Sequence, residues 1–241
     1  MIWVLLAALS LGGCGVAQDE PHDSGPPDYR YRLTVEVDTP EGVRSGSSVI
    51  EVTQRLGRSG ASPAHQAVYR RLQGKAVAVD LPDNRVLFAL LRSDDNIEWA
   101  SYVMQDIAPD IEWESWSERL DNMLLLEGPQ DLPRYWPRAG KPGTRSALPM
   151  LVTFGELDDP TSVERVDPDD FAASFGEGVS LKRIRVQMTD DPVTTGIEER
   201  LGWLPNYYDK MLDGQRLNSV HAEHRLANDL SQGAFSKGIL Q

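Results

Sequence analysis

Apolar and polar residues alternate from Tyr31 to Asp38. Tyr31, Leu33, Val35 and Val37 fall on one side of an extended chain, and Arg32, Thr34, Glu36 and Asp38 on the other. A period of two is that of a strand with one buried face. Thr39-Pro40-Glu41-Gly42 has turn chemistry, and Ser48-Val49-Ile50-Glu51-Val52-Thr53 resumes the β-rich pattern, so Tyr31 to Thr53 is predicted to be a hairpin. A hairpin alone is marginal in water, so its apolar face requires the elements that follow.

Arg55 to Pro63 reads as a loop. Gly74 to Leu91 reads as a second hairpin, with Ala76 to Val79 and Val86 to Leu91 flanking Pro82-Asp83-Asn84. The unbroken apolar run Val86 to Leu91 predicts a central strand buried on both faces. Helical spacing then takes over at Ile97, Ala100, Val103, Met104 and Ile107, with Asp94-Asp95-Asn96 as cap candidates and Pro109 as the stop. Asp110 opens a second predicted helix with Trp113, Trp116, Leu120, Met123 and Leu124 on one face, ended by Gly128-Pro129. Asp131 to Leu148 is predicted as a long loop, and Pro149 to Phe154 as a strand. Asp167-Pro168 supplies an N-cap and a first-turn proline for a helix over Phe171 and Phe175, with Gly176 as its stop. Ile184, Val186 and Met188 alternate with Arg183, Arg185 and Gln187, a strand with a basic outer face. Thr195 and Glu198 fit a capping box over Ile197 and Leu201, closed by Pro205. Asn206 to Leu212 and Ser219 to Leu230 are further predicted helices.

Hairpins, then helices, then isolated strands predict an α+β fold: a mostly antiparallel sheet with helices packed on one face. The expected organisation is a signal peptide over 1–13, a Pro-rich tether over 14–28, one globular domain over 29–230 and a flexible tail over 231–241.

The net charge of −13 disfavours nucleic acid, which demands clustered cations, and adsorption of the whole body to anionic lipid. The charge is uneven. Asp94 to Asp131 holds eleven acids against Arg119, and Arg134, Arg138, Lys141 and Arg145 follow without an acid before Glu156. A solvated helical face beside a basic loop accounts for this.

Met1 to Gly13 is apolar and too short to span a bilayer, which takes about 20 residues. It ends in Leu11-Gly12-Gly13-Cys14, and Cys14 is the only cysteine. This resembles the lipobox of bacterial lipoproteins. The resemblance implies cleavage before Cys14, diacylglycerol and palmitate-type acylation there, and no remaining thiol for disulfides, zinc or nucleophilic catalysis. Gly15 in place of Asp implies the outer membrane, facing the periplasm. Across Tyr29 to Val37, Ser47 to Val52 and Asp191 to Glu198 the mature chain also resembles proteobacterial lipoproteins without an assigned activity. No site residue follows from that likeness.

The sequence contains no G-x-S-x-G, S-x-x-K, H-E-x-x-H, P-loop or dinucleotide fingerprint after a strand. His221-Ala222-Glu223-His224 places two imidazoles at i and i+3, a metal pair on a helix if a carboxylate supplied a third ligand. Trp99, Tyr102, Trp113, Trp116, Tyr135 and Trp136 are six of eighteen aromatic residues within 38 positions; they could form a carbohydrate platform, but the helical spacing of Trp113 and Trp116 favours core. Three functions are therefore in view. The leading one is a non-enzymatic envelope lipoprotein without a cofactor, binding another envelope protein or peptidoglycan. The second is an envelope hydrolase or metalloenzyme at His221 and His224. The third is carbohydrate binding through Trp113, Trp116 and Trp136.

Overall fold

The computed structural model of the protein describes residues 25–58, 66–109, 120–137 and 145–238. The alternation at the start of the domain becomes β1 (Tyr29–Thr39), in which buried and partly exposed positions alternate over eleven residues. It turns into the antiparallel β2 (Gly42–Arg58), with Tyr29 opposite Val52 and Val35 opposite Gly46. The Thr39 hydroxyl closes the turn, donating to Gly42 O at 2.7 Å and accepting from the Glu41 amide. β2 outruns its expected end. Arg55 to Arg58, predicted as loop, pair with Gln66 to Tyr69 of β3 (Gln66–Lys75), because a neighbouring ladder supplies backbone partners that local propensity cannot register.

The second predicted hairpin is β4 (Val77–Asp80) and β5 (Val86–Ala89), joined through Asp83 and Asn84 at positive φ, which these two residue types tolerate. Then come α1 (Trp99–Ile107), β6 (Gln130–Asp131), β7 (Leu151–Phe154), β8 (Val163–Arg165), α2 (Phe171–Phe175), β9 (Ser180–Met188), α3 (Arg225–Asp229) and β10 (Ser236–Lys237). The described strands form two antiparallel sheets, one of six in the order β10-β3-β2-β1-β9-β6 and one of four in the order β4-β5-β7-β8. The fold is α+β, as the pattern of elements predicts.

The run Val86 to Leu91 explains the layering. Leu87, Ala89 and Leu91 belong to a core shared with Tyr31, Leu33, Val35 and Val37 of β1 and with α1 and Phe171 of α2. Val86, Phe88 and Leu90 point the other way, into a second core with Leu201, Leu212, Leu230 and Phe235. The four-stranded sheet is thus a middle layer, and its central strand is buried on both faces as predicted. Where the two sheets cross, β2 presents Gly46. A Cβ there would lie on the carbonyl oxygen of Ala78 and 2.9 Å from its carbon, so the crossing demands glycine. The Tyr31 hydroxyl donates to Ala100 O at 2.7 Å and that of Tyr29 to Ser101 O at 3.3 Å, tying α1 to β1. Burial holds both phenols well above their ordinary pKa, so they remain neutral donors.

Several expected helices yield to tertiary partners. Phe171 to Phe175 is helical, but its cap is Asp170, whose Oδ1 accepts from Ala173 N at 3.1 Å, while Asp167 accepts from Asp169 N in a preceding turn. No capping box forms at Thr195. Gly196 enters a 3-10 turn at Ile197–Glu199 with φ 85°, and Glu198 accepts from the Ser236 hydroxyl instead. Asn206 to Leu212 holds only the end of a 3-10 turn, Leu204–Tyr207, because the Leu212 amide is drawn to Ala227 O and Leu230 O. Asp131 to Leu148 has some order: β6 pairs with β9, and Tyr135 bridges Ser146. In the predicted helix from Asp110, residues 110–119 lie outside the described residues. Its end is a 3-10 turn, Asn122–Leu125, with Met123 buried and Leu124 exposed. The tail expected to fray from Ser231 is packed as far as Lys237. Phe235 is fully buried, in edge contact with Phe88, and β10 pairs with Gly74 and Lys75 of β3. One aromatic side chain with a core to enter outweighs a glycine-rich composition.

Candidate functional site

One depression among the described residues is formed by a loop and the helix it precedes. Asp213 to His224 leaves the second core at Leu212 and returns at α3, enclosing about 710 Å³ beside Asp213, Gln215, Arg216, His221, Glu223 and His224. The loop has no ladder of its own, so side chains meet several of its backbone groups. Asp213 accepts from the Gln215 amide at 2.9 Å, and Gly214 turns the chain with φ 84°. Asn228, fully buried on α3, does most of the holding. Its amide nitrogen donates to Asp213 Oδ2 at 2.8 Å and Leu217 O at 3.1 Å, and its oxygen accepts from Ser219 N at 2.5 Å. Arg225 adds bonds to Asn218 Oδ1 at 3.0 Å and Ser219 O at 2.8 Å. Arg92 secures α3 from β5's side through Asp229 O at 3.1 Å and an ion pair with the Asp229 carboxylate.

These bonds explain why Ser219 to Leu230 is not one helix. The Asn228 side chain takes the Ser219 amide and the Ser219 hydroxyl takes that of His221, so only Arg225 to Asp229 winds into α3, with His224 as its N-cap. The expected pairing of His221 and His224 on a helical face is therefore overturned: both lie in the loop, both are exposed, and both line the cavity. Among the described residues no three of His, Cys, Asp or Glu cluster as a metal site requires. Near His224, Asp159 is held below the ordinary carboxylate range first by the Thr161 hydroxyl, with the imidazole a lesser cause. The cavity offers carboxylates, a guanidinium, imidazoles and the carboxamides of Gln215 and Asn228, a lining suited to small polar or zwitterionic groups. Its one hydroxyl, on Ser219, accepts from a backbone amide.

The other candidates fall elsewhere. Trp136 is only 6% exposed and belongs to the core between the sheets, and Trp99 is buried with its Nε1 donating to Ala147 O at 3.0 Å. Neither presents a ring face to a ligand. Trp113, Trp116 and Cys14 lie outside the described residues. Sequence reasoning passed over Asn228, since one carboxamide in a polar run gives no signal until its burial is known. Comparison with protein families, curated proteins and solved structures found no match.

Proposed function

We propose that the chain is a bacterial envelope lipoprotein, acylated at Cys14 on the periplasmic side of the outer membrane, whose α+β domain is a non-enzymatic binding module. The supporting observation is the lone cysteine directly after Leu11-Gly12-Gly13, followed by a polar, Pro-rich stretch that ends where the buried strand β1 begins. The partner is another envelope component, and the cavity beside His221 and His224 is the candidate contact for its polar groups.

Labelled palmitate tests the anchor. The wild-type chain should incorporate it, and Cys14→Ser should remain an uncleaved precursor without label. Equal incorporation by both would overturn the reading.

A further inference from the structure

The outer face of the six-stranded sheet is charged, and over most of its width each cation has a carboxylate. Arg30 pairs with Glu51, Arg32 with Asp191, Lys182 with Asp38, Arg183 with Glu36, and Arg185 with both Glu36 and Asp131. The pattern breaks where β2 and β3 run past the start of β1. Tyr29 opposes Val52, so Thr53 to Arg58 and their partners on β3 project as a two-stranded arm, about 20 Å long at ~3.4 Å per residue. The register sets Arg55 opposite Tyr69 and Thr53 opposite Arg71. Arg55, Tyr69 and Arg71 are all exposed on the face that Glu51 shares, and neither Arg55 nor Arg71 has a carboxylate partner among the described residues. Sequence explains the break: no acid occurs between Glu51 and Asp80, whereas Arg55, Arg58, Arg70, Arg71 and Lys75 do. In a chain of net charge −13 this stretch carries a local excess of cations.

The N-terminal segment joins the domain at the root of the same arm. The Gln54 amide donates to Asp28 Oδ1 at 2.7 Å and the Gln54 side chain to Pro27 O at 2.9 Å. Gln54 neighbours Arg55, so Pro27 and Asp28 sit at the root of the arm that carries the exposed cations. Fourteen residue steps lead from Cys14 to Asp28, a reach of at most about 50 Å.

We propose that the solvent face of this arm, Arg55, Tyr69 and Arg71, docks on the anionic headgroups of the membrane that holds the Cys14 anchor, a step that rests on the anchored reading above. Cations near an anionic surface attract it locally, and an aromatic ring on the same face, lying across Gly57, suits the headgroup level. The rest of the body is negative, but its repulsion is screened beyond about 8 Å at physiological salt, whereas the arm is what the tether brings close.

The test uses the full chain carrying Cys14→Ser, which has no acyl group, with vesicles of phosphatidylglycerol and phosphatidylcholine against phosphatidylcholine alone. The chain should be retained on the anionic vesicles at low salt and released at high salt. Arg55→Gln with Arg71→Gln should weaken retention about 25-fold, from roughly fivefold per cation. Arg55→Lys with Arg71→Lys should restore it at an unchanged melting temperature. Equal retention on both vesicles, or a glutamine pair that binds like its parent, overturns the proposal. So does displacement by inorganic phosphate at constant ionic strength, which would make free phosphate the ligand. Self-association lost in the glutamine pair, without lipid selectivity, would make a second copy the occupant and overturns it too. The mass of Cys14 in the wild-type chain is read separately. An unacylated cysteine with vesicle selectivity intact refutes the anchor and upholds the arm, whereas an acylated chain without selectivity refutes the arm alone.

Discussion

Gly46→Ala tests the crossing of the two sheets directly. The added methyl would overlap the Ala78 carbonyl oxygen, with the carbonyl carbon at 2.9 Å and Val77 Cγ1 at 3.2 Å. A side chain met this way rotates aside; a backbone carbonyl inside a ladder does not. Ala78 is held opposite Phe88, and Gly46 opposite Val35, so relief requires the sheets to part along the core that contains Val35, Val77 and Val79. Overpacking costs about 1–3 kcal/mol, and the backbone contact places this case near ~3 kcal/mol. For a chain of this size that lowers the melting temperature by about 6–12 °C. Thermal and urea unfolding measure it. Gly202→Ala is the control, since a Cβ there meets nothing within 4 Å and should change stability by under ~0.5 kcal/mol. Adding Val77→Ala to Gly46→Ala should recover nothing, because the obstacle is main chain. A Gly46→Ala protein as stable as wild type would refute the crossing.

Phe235→Ala should cost about 3–5 kcal/mol, read by urea unfolding, because the ring is fully buried against Phe88 and Phe154; a change within ~0.5 kcal/mol would return residues 231–237 to a dispensable tail. Asn228→Ala should cost about 1–3 kcal/mol and speed amide exchange across 213–219, since it strips the loop of three bonds; unchanged exchange there would show that the loop is held by other means. The hydrogen bonds of Arg200, with Nη2 2.7 Å from Asp80 Oδ2, hold the Asp80 carboxyl below its ordinary value. A depressed folded-state pKa stabilises above the unfolded value and is lost as pH falls through the folded one, so wild type should exceed Arg200→Gln near neutral pH and converge with it on acidification. With Asp80 66% exposed the gap stays under about 1 kcal/mol, and a gap that widens in acid would refute the pairing.

The sequence by itself determined what depends on neighbours in the chain. A period of two at Tyr31 to Val37 dictates which side of β1 is buried, since a one-residue slip would expose every apolar group. The unbroken apolar run at Val86 to Leu91 dictates a strand covered on both faces, and Ala100, Val103 and Met104 dictate the inward side of α1, although Ile97, expected on the same face, lies exposed before the helix begins. The tertiary structure decided whatever is satisfied from a distance. β2 continues through Arg58 because β3 is there to pair with it, and the tail from Ser231 is ordered because Phe235 has a second core to fill. The site was the least legible part. His221 and His224 stand out as a pair, but their loop geometry follows from one buried carboxamide on α3 that competes for backbone groups a helix would have used. Hydrophobic periodicity records how much surface a segment must bury. It carries no record of which distant polar group will claim a backbone amide, and that competition shapes the 213–224 loop.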